Sequence, residues 1–76
     1  MTEFNVELDA RGLNCPLPIL KMRKTINATE SGQVVRMIST DPGSLKDMES
    51  FCRQTGNDLV SSEDTDGEYV FFVRKT

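Results

Sequence analysis

The chain contains no histidine, which is the commonest general base and the commonest metal ligand in proteins. Catalysis by a serine–histidine or cysteine–histidine pair is therefore excluded within this chain. Its two cysteines, Cys15 and Cys52, are too few for a disulfide framework, and without histidine they do not make a zinc site. We therefore expect neither a metal centre nor a cofactor.

Long apolar runs and an excess of positive charge are also missing. No apolar segment is long enough to span a bilayer, and the acidic Glu3 near the N-terminus is unlike a signal peptide. We therefore expect a cytoplasmic protein that does not bind membranes. The net charge of −3 disfavours direct nucleic-acid binding. With 76 residues, of which 37% are hydrophobic, the chain has room for one small domain, residues 1–76, with a modest core.

Apolar periodicity predicts six elements in the order β-α-β-α-β-β. The first strand is expected to turn Phe4, Val6 and Leu8 towards the core. Asp41-Pro42 is read as a helix start, with Asp41 as N-cap, and Asp66-Gly67 as a two-residue hairpin turn. The elements cover strands 4–8 and 33–39, helices 16–28 and 42–55, and strands 58–63 and 68–75.

Each predicted helix has one apolar stripe that should pack on the sheet. The stripe of the first helix consists of Ile19, Met22 and Ile26, and that of the second of Leu45, Met48, Phe51 and Cys52. Right-handed crossovers place both helices on one face of the sheet. The sequence therefore predicts an α/β two-layer sandwich with a mixed four-stranded sheet.

Cys15 stands where the first predicted helix begins and is followed by Pro16 and Pro18. Proline suits the first helical turn because its fixed φ is helical and its missing N–H would have no partner there. With Cys15 as N-cap, the backbone N–H groups of Leu17 and Ile19 are the donors expected to face the sulfur. The helix dipole and these donors would lower the pKa of the thiol and make it a nucleophile. The alternative is a buried structural cysteine.

A resemblance to the TusA/SirA family of small sulfur-carrier proteins is carried by Arg11-Gly12-Leu13-x-Cys15-Pro16-x-Pro18, which contains that family's Cys-Pro-x-Pro motif. The likeness extends to Asp41-Pro42, Phe51-Cys52 and the final hairpin. It also implies the strand order 1-2-4-3, with the fourth strand antiparallel to the others.

The resemblance implies that Cys15 carries sulfane sulfur as a persulfide, with Arg11, Gly12, Pro16 and Pro18 in supporting positions. A cysteine desulfurase or a rhodanese-like protein would be the sulfur donor, and another protein the acceptor. The relay would serve tRNA thiolation, cofactor synthesis or sulfur oxidation. Because the chain is small and acidic, we expect it to act as a monomeric stoichiometric carrier more than as an enzyme.

A cluster of basic residues lies close to Cys15 in the sequence and consists of Arg11, Lys21, Arg23 and Lys24. On the first helix, Leu17, Leu20, Lys21 and Lys24 fall on a face away from the core stripe. This face is either a partly covered surface with solvated lysines or a docking surface for a protein partner.

The role of Cys52 distinguishes a sulfur carrier from a thiol redox enzyme. In mid-helix on the apolar stripe, it is read as a small core residue whose burial raises its pKa. If it were instead a resolving thiol, the chain would be a redox enzyme. A third reading is a regulatory interaction domain that binds RNA through the open sheet face, which the acidic charge disfavours.

Overall fold

The computed structural model describes residues 3–14 and 16–76, and within them four strands and two helices follow one another in the predicted order. Val35, Met37, Phe71 and Val73 alternate with more exposed residues, as expected of strands that bury one face. The elements are β1 (Val6–Ala10), α1 (Leu17–Asn27), β2 (Val34–Ser39), α2 (Ser44–Thr55), β3 (Asp58–Thr65) and β4 (Glu68–Arg74).

The strands form one mixed sheet in the order β1-β2-β4-β3, so the predicted order is confirmed. β1 and β2 are parallel and meet with Leu8 opposite Met37, whereas β4 is antiparallel to both of its neighbours. Asp66 and Gly67 both have positive φ, 51° and 81°, as a tight two-residue hairpin turn requires. The hairpin makes β3 the neighbour of β4, and the strand order places β3 at one edge of the sheet.

The core lies between the helices and one face of the sheet. Each fully buried apolar side chain there contributes roughly 1.5–3 kcal/mol to folding. Cys52 belongs to this core, as predicted. The other buried members are Ala10, Met22, Ile26, Val35, Met37, Met48, Phe51, Phe71 and Val73.

The prediction that Phe4 faces the core is wrong. Phe4 precedes β1 and is 44% exposed. Its ring lies 6.2 Å from that of Phe72, and the guanidinium of Arg36 lies 5.6 Å from its centre. The alternation fails at Phe4 because the chain bends at Asn5, so the ring packs on the face of the sheet opposite the helices.

The start of α2 differs from the prediction by two residues. Gly43, not Asp41, is the N-cap, because Pro42 and Gly43 form a turn before the helix. Asp41 still stabilises this turn, since its Oδ1 accepts the backbone N–H of Gly43 at 3.1 Å. At the other end, Gly56 has a φ of 77° and ends the helix as predicted.

Ser44 takes the buried position that the stripe had given to Leu45, which is 38% exposed. The hydroxyl oxygens of Ser44 and Ser39 lie 2.6 Å apart in a buried hydrogen bond. Ser39 Oγ also accepts the backbone N–H of Asp41 at 3.2 Å. The connection from β2 to α2 is therefore tied to the end of β2.

Candidate functional site

The sequence directs attention to the connection between β1 and α1, which contains Cys15. Cys15 itself lies outside the described residues. Asn14 and Pro16, its two neighbours, are described and exposed. This connection follows the carboxyl end of β1, beside the equivalent end of the parallel strand β2.

Pro16 is the N-cap of α1, with φ −98° and ψ 16°, and Leu17 is the first helical residue. The prediction had placed Cys15 at the N-cap and Pro16 inside the helix, so α1 begins one residue later. The backbone N–H of Leu17 donates to the carbonyl oxygen of Asn14 at 2.8 Å. The prediction that this N–H is available to the cysteine is therefore wrong, because the turn that precedes the helix uses it.

Pro18 is buried, whereas Pro16 is exposed. The second proline therefore has a packing role in addition to its suitability for a first helical turn. Its ring belongs to the same buried face of α1 as Met22 and Ile26. This burial fixes the start of α1 on the core.

Arg11 is bound to two acids. Its backbone N–H and its Nε each donate to Asp9 Oδ1 at 3.0 Å, and its Nη2 donates to Asp9 Oδ2 at 3.2 Å. Its Nη1 lies 3.7 Å from Glu68 Oε2 at the start of β4. The hydrogen bonds from Arg11 lower the pKa of Asp9 to about 2. The charge of Arg11 is thus largely balanced within the molecule, and its predicted place in the basic cluster is weakened.

Gly12 turns the chain with a φ of 80°, which a residue with a side chain adopts only with strain. Its backbone N–H donates to Thr40 Oγ1 at 2.9 Å. The next turn is closed by the N–H of Leu13, which donates to the carbonyl oxygen of Ala10 at 3.3 Å. Sequence reasoning missed Thr40, although its place just after the strand parallel to β1 was a usable signal.

Leu17 and Leu20 are 48% and 52% exposed, and Lys21 and Lys24 are exposed as well. We call these four residues of α1 the leucine–lysine face. Lys21 also reaches the end of β1, since its Nζ lies 3.4 Å from the carbonyl oxygen of Asp9. Apolar and cationic groups thus share one solvent-exposed face of α1.

Arg23 points to the other side of α1, where its guanidinium carbon lies 5.3 Å from the centre of the Phe51 ring. It lines a shallow groove between the two helices, with a volume of about 160 Å³. The groove begins at Pro16, next to the cysteine in the sequence, and sequence reasoning missed it. Its lining consists of Pro16, Ile19 and Arg23 from the first helix and Asp47, Ser50, Phe51 and Gln54 from the second.

Cys52 is 5% exposed, and burial raises the pKa of its thiol to about 11. At neutral pH this thiol stays protonated and is a poor nucleophile. A redox enzyme would need Cys52 as a reactive resolving thiol, and its burial and raised pKa disfavour that role.

The part of the chain that the structure describes contains neither a metal-binding cluster nor a membrane-spanning helix. Among residues 3–14 and 16–76, no group of three histidine, cysteine or acidic side chains could hold a metal ion. No helix within the same residues is long and apolar enough to cross a membrane.

Comparisons with known proteins agree with the geometry of the fold. A family model described as sulfurtransferase TusA matches residues 6–75. A sulfur carrier protein TusA of Allochromatium vinosum is 54% identical over 76 residues, which is the whole of both chains. Another, from Pseudomonas entomophila, is 37% identical over 68 residues, or 90% of this chain and 85% of that protein.

A solved structure gives independent support for the architecture. The crystal structure of a SirA-like protein from Desulfitobacterium hafniense matches with a TM-score of 0.82 over 92% of this chain and 96% of that one. At 21% sequence identity, this likeness shows the fold alone. Taken with the family model and the relatives in sequence, the chain belongs to the TusA family of sulfur carrier proteins.

Proposed function

We propose that this chain carries sulfane sulfur as a persulfide on Cys15, as a stoichiometric relay protein. The observation that carries the proposal is the start of α1, where Pro16, the next residue in the sequence, is exposed and is the N-cap. The N-terminus of a helix favours a thiolate or a persulfide anion. Arg11, Gly12, Pro16 and Pro18 are the supporting residues, because they shape the connection that contains the cysteine.

The proposed transfer needs no oxidant and no base from this chain. The thiolate of Cys15 attacks the outer sulfur of a donor persulfide, so that a new S–S bond forms and the donor S–S bond breaks. The donor cysteine leaves as a thiolate, and the outer sulfur keeps its proton and its oxidation state. Delivery is the same reaction with an acceptor thiolate as the attacking group. The lack of histidine is therefore no obstacle.

The partners in this proposal are proteins. A cysteine desulfurase or a rhodanese-like protein would donate sulfur, and an acceptor protein would receive it for tRNA thiolation, cofactor synthesis or sulfur oxidation in the cytoplasm. The leucine–lysine face of α1, Leu17, Leu20, Lys21 and Lys24, is the docking surface in this proposal. Its exposed apolar and cationic groups suit an acidic partner surface with apolar residues, and the chain would dock as a monomer.

Intact mass spectrometry after incubation with a cysteine desulfurase and cysteine, without reductant, tests the proposal. We expect the parent chain to gain the mass of one sulfur atom, Cys15→Ser to gain none, and the matched control Cys52→Ala to gain as much as the parent. Sulfur that still appears on the native Cys15→Ser variant would contradict the assignment and favour a reactive Cys52.

A further inference from the structure

We propose that Thr40 is a positioning residue for sulfur transfer, because its hydroxyl fixes the backbone of the connection that contains Cys15. The inference rests on the proposed function, in which Cys15 carries the sulfur. The contact is the hydrogen bond from the Gly12 N–H to Thr40 Oγ1, 2.9 Å long, which joins residues 28 positions apart in the sequence.

The hydrogen bond is notable because it links the backbone of this connection to the connection between β2 and α2. The bonds from Leu13 to Ala10 and from Leu17 to Asn14 lie within the connection or at its ends. The ion pair between Arg11 and Glu68 reaches β4, but it joins two half-exposed side chains at 3.7 Å. Pairs of that kind contribute little. The hydrogen bond to Thr40 is also exposed, but it holds a main-chain atom and is shorter, at 2.9 Å.

Thr40 is itself attached to an ordered part of the fold. It stands between Ser39 and Asp41, where Ser39 Oγ accepts the N–H of Asp41 and forms the buried hydrogen bond with Ser44. The Thr40 hydroxyl that accepts the Gly12 N–H is thus held by a connection that is attached to both β2 and α2.

Cys15 lies three residues after Gly12, and three residues later comes Pro18, which lies on the buried face of α1. Three residues span at most about 10 Å. The segment with the cysteine is therefore short and is held at one end by Thr40 and at the other by Pro18. Loss of the Thr40 contact removes one constraint at the first end, where Leu13 still bonds to Ala10 and packs on the core. The cysteine then has more positions available relative to a docked partner.

Greater mobility of the cysteine should affect transfer from a protein donor and from a small-molecule donor differently. A partner protein presents its persulfide at one place, so transfer requires the cysteine to occupy a matching position. A small persulfide can approach the cysteine wherever it lies. Thr40 should therefore matter for transfer between proteins and little for loading from free cysteine persulfide.

The experiment compares the parent chain with Thr40→Val, which keeps the shape and removes the hydroxyl, and Thr40→Ser, which keeps the hydroxyl. The matched control is Thr65→Val, since the exposed Thr65 hydroxyl makes no hydrogen bond to residues 3–14 or 16–76. Single-turnover transfer from a persulfide-loaded cysteine desulfurase is followed by quenching and intact mass over a range of desulfurase concentrations. Loading from cysteine persulfide is measured in parallel.

We expect Thr40→Val to lower the maximal transfer rate from the desulfurase by about two- to tenfold, as the loss of one hydrogen bond implies. The half-saturating desulfurase concentration and the rate with cysteine persulfide should stay unchanged. Thr40→Ser should restore the rate, and Thr65→Val should match the parent. Hydrogen exchange of the Gly12 amide should be faster in Thr40→Val and return to the parental value in Thr40→Ser.

Parental transfer by Thr40→Val, with its Gly12 amide exchanging faster, would overturn the inference. Equal slowing in the serine and valine variants would do so too, because the hydroxyl would then not be responsible. A parent chain that does not load sulfur on Cys15 would instead contradict the proposed function, so the two failures are distinguishable.

Discussion

The two helices of this protein begin in opposite ways, although each has proline near its start. At α2, the carboxylate of Asp41 accepts the N–H of Gly43, and Asp47 adds an acid to the first turn. Neither N-cap makes a side-chain hydrogen bond, but at α1 the first turn contains no acid within the described residues. Among the described residues, the first turn of α2 thus contains an acid, whereas the first turn of α1 does not.

This difference means that α1 lacks the stabilising interaction between a first-turn acid and the helix dipole. An acid in the first turn of a helix is worth roughly 0.3–1 kcal/mol of stability through the helix dipole. At α1 the chain leaves that interaction available to another anion, and the sulfur of Cys15 is adjacent in the sequence. The buried Pro18 supplies stability at this start by packing instead. In the proposed function the start of α1 is the functional start and that of α2 the structural start, and their first turns differ in whether they contain an acid.

Removal of the acid at the structural start should have the largest effect on stability. Asp41→Ala is expected to lower the free energy of unfolding by about 0.5–1.5 kcal/mol, because the turn before α2 loses a hydrogen-bond acceptor. Asp41→Asn keeps a side-chain acceptor and serves as the control, with a smaller loss. Urea denaturation followed by circular dichroism measures both. Sulfur loading by either variant should match the parent, and slower loading would show that the two starts are coupled.

Addition of an acid at the functional start should change stability and reactivity in opposite directions. Leu17→Glu is expected to raise the free energy of unfolding by about 0.3–1 kcal/mol. The same carboxylate should disfavour a thiolate at Cys15, so alkylation of that cysteine slows at neutral pH and its pH profile moves upwards. Leu17→Gln is the control for the lost leucine. If Leu17→Glu and Leu17→Gln react alike, the helix start does not activate the cysteine.

Charge reversal on the leucine–lysine face separates docking from folding. Lys21→Glu combined with Lys24→Glu should leave the melting temperature almost unchanged, since exposed charges contribute roughly 0–1 kcal/mol per pair. Sulfur exchange with an acidic partner should slow at low salt and approach the parental rate as salt rises. Lys46→Glu with Arg53→Glu on α2 makes the same change of charge elsewhere. Equal slowing by both pairs would assign the effect to net charge.

The smallest effect concerns Asp9, an acid near α1 whose charge is bound to Arg11. Its pKa is lowered from 3.8 to about 2 in the folded chain. A lowered pKa stabilises the fold above the unfolded pKa, and this contribution is lost as the pH falls from about 4 towards 2. Asp9→Asn should therefore flatten the dependence of stability on pH in that range. Urea midpoints at several pH values and low salt measure it, and an unchanged slope would contradict the pairing.

Periodicity and turn residues were sufficient for most of the fold. Met22 and Ile26 lie in the core as their spacing predicts, and the Asp66-Gly67 turn lies where expected. Phe4 was misread because alternation does not reveal where a strand begins. The start of α2 was misread because Pro42 also suits a turn that precedes a helix.

The site was less predictable than the fold. The motif residues around Cys15 were visible in the sequence, but the contact of Gly12 with Thr40 depends on two strands meeting side by side. The charge of Arg11 looked available until its distances to Asp9 and Glu68 were known. Contacts between residues far apart in the sequence require the strand register, which periodicity does not supply.

The burial of Cys52 makes its thiol an intrinsic probe of local opening. Because the Cys52 thiol is 5% exposed and burial raises its pKa to about 11, we expect it to react with a neutral-pH reagent only after local or global unfolding exposes it. In a Cys15→Ser background, the labelling rate of the native chain would therefore report how often the core around Cys52 opens. The rate at which the core opens can thus be measured on a native cysteine, without an introduced label.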